Sequence, residues 1–81
     1  RTVIEDNCFI TSHAVISGYC RIETGSFVGV NATFNDKTGV AKNSIVGSGA
    51  VVTRYLKDPE LVYVGNPAKP LPKKNAFNIE L

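Results

Sequence analysis

One histidine, two cysteines and seven scattered carboxylates are what this 81-residue chain offers for proton transfer, nucleophilic attack or metal binding. His13 is the only histidine. As a general base beside an acceptor group it would contribute typically ~10²–10⁴-fold. Its plainer role is that of a turn residue, bonding locally or filling an interface. Cys8 and Cys20 lie twelve positions apart. A disulfide needs converging Cβ vectors, and a metal site needs further ligands; this spacing supplies neither. Both are read as reduced core thiols, since cysteine packs as a small hydrophobe. No metal site is expected, and reduced thiols favour the cytoplasm.

The formal charge is +2, and no basic run exceeds Lys73-Lys74. Nucleic acid is therefore not an expected partner. No apolar stretch approaches the roughly 18 residues of a membrane span, and no signal peptide opens the chain, so no membrane partner is expected either.

The elements that must carry these residues show in a six-residue period. Ile4, Ile10, Ile16, Ile22, Val28, Phe34, Val40, Val46 and Val52 form a series of large hydrophobes. Four positions after each comes a small residue: Cys8, Ala14, Cys20, Ser26, Ala32, Thr38, Ser44 and Ala50, until Leu56 breaks the series. Such a period fits neither a helix stripe nor a free strand. It fits a solenoid wound as a parallel β-helix, in which each coil buries its inner face against the next.

With three hexads per coil, residues eighteen apart stack at the strand spacing of about 4.8 Å. One face then holds Ile10, Val28, Val46 and Val64 beside Ala14, Ala32, Ala50 and Ala68. A second holds Ile4, Ile22 and Val40 with Cys8, Ser26 and Ser44; a third holds Ile16, Phe34 and Val52 with Cys20 and Thr38. The residues before the small positions run Asn7, His13, Tyr19, Gly25, Asn31, Lys37, Asn43, Gly49 and Tyr55. Their Gly and Asn content suits corners with φ > 0.

The pattern fades at Tyr55, and Lys57-Asp58-Pro59-Glu60 reads as a loop. Val64-Gly65-Asn66-Pro67-Ala68-Lys69 is expected to return in phase with Val28-Gly29 and Val46-Gly47. The expected fold is thus all-β, a parallel β-helix of three to four coils over residues 1–69 with a C-terminal tail, 70–81. The segment 75–81 reads equally as a short strand or a helical turn. Because Thr2 and Val3 already fall within a hexad, the chain is expected to be the C-terminal piece of a longer protein.

These hexads, with Val46-Gly47-Ser48-Gly49-Ala50-Val51-Val52-Thr53-Arg54 and the closing VGNPAKP, resemble the left-handed β-helix acyltransferases over residues 2 to about 71. The similarity is greatest to the bacterial sialic-acid O-acetyltransferases and nucleotide-amino-sugar N-acetyltransferases. The resemblance implies left-handed winding, although ordinary parallel crossovers are right-handed in about 98% of cases. It also implies a homotrimer, acetyl-CoA as acyl donor in the groove between solenoids, and a small-molecule sugar acceptor. Transfer in this family is direct, with a histidine base and a backbone N–H on the oxyanion.

Carried over by motif, Ser12, Val30, Ser48 and Asn66 would line the pantetheine arm, with Gly29 and Gly47 beside it. A missing side chain lets a ligand approach the backbone, so bulk at Gly47 is expected to block the cofactor while sparing the fold. Phe9 falls where some relatives carry a histidine that touches the acetyl group. Arg54 and Lys69 match positions that meet the CoA phosphates, or are ordinary surface charge. The family's general base falls about nine residues before the Phe9 position, upstream of Arg1. That leaves His13 as the catalytic candidate within the chain, with a cofactor or acceptor contact as its other functional role.

The leading alternative is a non-catalytic scaffold or trimerisation module. A γ-class carbonic anhydrase shares the fold but needs three histidines on zinc; this chain has one, so that reading is close to excluded unless ligands lie upstream.

Overall fold

A computed structural model describes residues 1–75, so the expectation for the segment beyond Asn75 lies outside the described residues. The chain winds three sheets into the faces of a prism. Sheet A contains β1 (Val3–Ile4), β4 (Arg21–Ile22), β7 (Gly39–Val40) and β10 (Tyr55–Leu56). Sheet B contains β2 (Phe9–Ile10), β5 (Phe27–Val28), β8 (Ile45–Val46), β11 (Leu61–Val64) and β12 (Lys69–Asn75). Sheet C contains β3 (Val15–Ile16), β6 (Thr33–Phe34) and β9 (Val51–Val52). Every pairing is parallel except β11 with β12.

The eighteen-residue stacking holds through the first three coils: Ile4 pairs with Ile22 and Ile22 with Val40, Ile10 with Val28, and Ile16 with Phe34. The large hydrophobes point inward, and Ile22, Val28, Phe34, Val40, Val46 and Val52 are completely buried. Burying each such side chain contributes about 1.5–3 kcal/mol. The small series lies beside them. Its hydroxyls are satisfied by nearby carbonyls: Ser26 Oγ donates to Ala41 at 3.1 Å and Thr38 Oγ1 to Asn35 at 2.7 Å. Cys8 and Cys20 are free thiols, each with its sulfur 3.2 Å from a backbone oxygen, of Glu23 and Asn35 respectively.

Corners take the left-handed conformation whether or not the residue is glycine. Asn7, His13, Tyr19, Asn31, Lys37 and Asn43 have φ between 55° and 62°. That costs a non-glycine residue roughly 1–2 kcal/mol, and stacking offsets it. The corner N–H of one coil donates to the coil before: Gly25 to Asp6 (3.1 Å), Asn31 to Ser12 (3.2 Å), Lys37 to Gly18 (2.9 Å) and Gly49 to Val30 (2.8 Å).

Three expectations are corrected at the last coil. Tyr55 is no corner; it begins β10 and pairs with Gly39, sixteen residues back, where Gly39 pairs with Arg21 eighteen back. The corner after β9 is two residues shorter than its predecessors, so Leu56 is an inward core residue stacked on Val40. Secondly, Tyr63 rather than Val64 pairs with Val46 and fills the interior. Its hydroxyl donates to the Asp58 carbonyl at 2.6 Å, across the expected loop.

Thirdly, VGNPAKP does not begin a further coil. It reverses the chain, through a cis Asn66–Pro67 peptide, into β12, which pairs antiparallel with β11 through Val64–Lys69 and Tyr63–Pro70. Prolines 70 and 72 lack N–H donors, which confines this strand to the sheet edge. The segment that follows Lys69 therefore joins sheet B up to Asn75 instead of trailing from it.

Candidate functional site

The corner between sheets B and C brings together most of the expected site residues. Ser12, Val30 and Ser48 stand in one exposed column, each followed by its left-handed corner residue, His13, Asn31 or Gly49. The Ser12 and Val30 carbonyls are engaged, accepting from Asn31 and Gly49 in the next coil. Their own N–H groups donate to no protein group among the described residues. At the other corners the equivalent donor is met in part by carboxylates: Thr24 N–H donates to Glu5 Oε1 and Gly18 N–H to Asp36 Oδ1, each at 3.0 Å. The B–C corner thus presents amide donors repeating at about 4.8 Å, with no acid competing for them.

Gly29 and Gly47 lie beside this column, but for another reason than the one expected. Gly29 is buried, and a Cβ there would stand 2.7 Å from Ser48 N and 2.9 Å from Val46 O. Its missing side chain admits the next coil of the protein itself. A Cβ on Gly47 would meet Val64 Cγ1 at 2.9 Å. Gly47 is therefore not an open outward glycine: a side chain there has to displace Val64.

Phe9 faces outward on sheet B, 61% exposed, with its ring centroid 5.2 Å from that of Phe27. Asn66 and Lys69 are exposed at the last turn above the same corner. That turn is seated on β9, since Val51 N–H donates to Gly65 O (2.9 Å) and Ala68 N–H to Val51 O (2.8 Å). The register of Tyr63 on Val46 brings Gly65, not Asn66, to the level of Ser48. His13 is exposed on its corner, and its imidazole has no hydrogen-bond partner among the described residues. Arg54 stands apart. It lies between β9 and β10, at the edge where sheet C meets sheet A, so sheet C separates it from the amide column.

One cluster was not foreseen. On sheet A, Arg21 and Glu5 form an ion pair at 2.6 Å, and the Tyr55 hydroxyl donates to Glu23. Burial, and then the Glu23 carboxylate, push the Tyr55 phenol well above its usual range. Glu5 and Glu23 are eighteen apart, so part of this was readable; Tyr55 was hidden by the shortened corner. Among the described residues no group of three His, Cys, Asp or Glu could hold a metal ion.

No family model matches the chain. It is similar to gamma carbonic anhydrase 1, mitochondrial, of Arabidopsis thaliana, with 40% identity over 73 residues that cover 89% of the chain and 26% of that protein. Among solved structures it superposes on the acetyltransferase domain of PglB from Neisseria gonorrhoeae with a TM-score of 0.82 and 33% identity, over 86% of this chain and 34% of that one. The same domain in complex with acetyl coenzyme A gives a TM-score of 0.81 and 32% identity over the same shares. PerB from Caulobacter crescentus, in complex with CoA and GDP-perosamine, gives 0.69 and 27% over 80% of this chain and 34% of that one. The chain therefore spans about a third of those structures and about a quarter of the carbonic anhydrase. The repeat and these superpositions show the hexapeptide-repeat left-handed β-helix fold, and the chain resembles the acyltransferases that carry it.

Proposed function

We propose that this chain is the C-terminal β-helix portion of an acetyl-CoA-dependent acetyltransferase that acts on a sugar or nucleotide-linked amino sugar. The observation that carries the reading is the column of unengaged amides at Ser12, Val30 and Ser48, on a solenoid that superposes on an acetyltransferase domain holding acetyl coenzyme A. The pantetheine arm is long and carries amide carbonyls, which suit such a strip of donors. Phe9 offers an apolar wall near its reactive end. Lys69, above the same corner, supplies a cation for the phosphates, a charge-assisted contact that is stronger than a neutral one.

The acceptor hydroxyl or amine would attack the thioester carbonyl directly and lose its proton to a base, while a backbone N–H would steady the developing oxyanion. Collapse would break the C–S bond and release CoA as a thiolate that takes up the proton. His13 is the catalytic candidate within the chain, and Asn66 borders the same groove. The assembly that fits is a cytoplasmic homotrimer with the groove between solenoids. In that arrangement Arg54, on the far edge of sheet C, meets the cofactor from the neighbouring subunit. Calorimetric titration with CoA tests the reading. An affinity in the micromolar range supports it, and no binding at millimolar concentration leaves the scaffold role.

The identity to a γ-carbonic anhydrase favours a second reading, a segment of a zinc hydratase. Such a site takes three histidines, and this chain brings one, His13. Zinc that binds stoichiometrically and is lost in His13→Ala would favour this reading over acyl transfer.

A further inference from the structure

The corner that carries Arg54 is built unlike the others. It is two residues shorter, and among the described residues neither Thr53 nor Arg54 donates a backbone hydrogen bond. Elsewhere the equivalent corner is tied down, as Lys37 is to Gly18. The Thr53–Arg54 corner is therefore placed by what flanks it. On one side Val52 is sunk in the core; on the other stands β10, a strand of two residues at the edge of sheet A.

Tyr55 supplies the anchor on that side. Its ring lies over Gly39, where a Cβ would stand 2.5 Å from the ring. It thereby passes over one coil and reaches Glu23 in the coil beyond, to which its hydroxyl donates. Arg21, paired with Glu5 at 2.6 Å, borders the same cluster. Glycine at position 39 makes room for the ring, and a Cβ there would meet the Arg21 carbonyl as well.

We propose that Tyr55 is a positioning residue: latched across Gly39 onto Glu23, it holds the terminal strand of sheet A and the Arg54 corner attached to it. The mechanical half stands on geometry alone. The functional half rests on the proposal that Arg54 meets a CoA phosphate. Tyr55→Phe keeps the ring but removes the donor, and Glu23→Gln keeps the shape of the partner but removes its charge.

Hydrogen exchange tests the mechanical half in the full chain. Ala41 N–H donates to the Leu56 carbonyl of β10 (2.8 Å), and Glu23 N–H donates to the Val40 carbonyl in the coil that follows it (3.1 Å). Tyr55→Phe should lower protection of the Ala41 amide about ten-fold and leave Glu23 unchanged, which marks local release of β10. Glu23→Gln should act in the same direction. Unchanged protection at Ala41 in both variants, or an equal fall at both amides, overturns the latch.

CoA titration tests the functional half. Tyr55→Phe should weaken CoA about five-fold, Arg54→Ala by more, and the double variant no more than Arg54→Ala alone, because coupled residues do not add. Additive losses overturn positioning through Arg54. Wild-type chain that fails to bind CoA overturns the cofactor reading, while the exchange result continues to decide the latch.

Discussion

Gly29 lies directly beneath the backbone of Ser48: a Cβ on Gly29 would stand 2.7 Å from the Ser48 amide nitrogen. Backbone cannot step aside as the end of a flexible side chain can. Gly29→Ala should therefore cost about 1–3 kcal/mol, in the range of overpacking. At Gly18 the nearest atom would be 3.8 Å away and φ is not positive, so Gly18→Ala should stay within about 0.5 kcal/mol of wild type. Urea denaturation of the two variants makes the comparison. Equal midpoints would mean that Gly29 does not serve coil stacking.

Ala50 is completely buried, whereas Lys42 is exposed. Ala50→Leu must push three extra carbons into a filled interior and should lose about 1–3 kcal/mol. Lys42→Ala should be nearly silent. Melting temperatures separate the two, and a tie would put the inward register in doubt.

The Tyr55 phenol titrates higher in the folded chain than its ordinary value near 10, because burial and the Glu23 carboxylate both disfavour phenolate. A group raised on folding stabilises fully below its unfolded pKa and loses that contribution as pH rises through the folded one. The advantage of wild type over Tyr55→Phe should hold from pH 7 to 9 and shrink above about pH 10. Denaturation midpoints of both proteins across pH 8 to 11 give the readout. A constant difference would count against a raised phenol.

Phe9 and Val15 face outward and are more than half exposed, and inward Ile4 in the first coil is nearly so. In the proposed trimer these side chains would be covered by a neighbouring solenoid. Under the proposed assembly, sedimentation velocity should give three times the chain mass. Phe9→Glu should shift the distribution towards monomer, and a well-folded wild-type monomer at micromolar concentration would sink the trimer.

If Lys69 meets the phosphates, Lys69→Ala should weaken CoA binding most at low salt, since exposed charge interactions are screened beyond about 10 Å at 0.1 M. Calorimetry at two ionic strengths checks it. A loss independent of salt would assign Lys69 some other role.

The six-residue period by itself determined the coil, its three faces and the inward positions of Ile22, Val28, Phe34, Val40, Val46 and Val52. A strict repeat leaves each hexad one choice of side to bury. The same arithmetic stacks Ser12, Val30 and Ser48 at one corner, but only the resemblance to the acyltransferases singled that column out as a candidate site. The arithmetic failed where the repeat ceases to be regular. Nothing local reports that the corner before Tyr55 has lost two residues, because Leu56 reads as a fault in the small series until it is seen stacked on Val40. Nor does VGNPAKP announce a reversal; its residues fit the hexad phase as well as they fit the turn into β12. The purpose of Gly29, the reach of Tyr55 to Glu23 and the separation of Arg54 from the amide column depend on which backbone lies across from which. Those distances exist only once the coils are stacked, so the tertiary structure alone decided them.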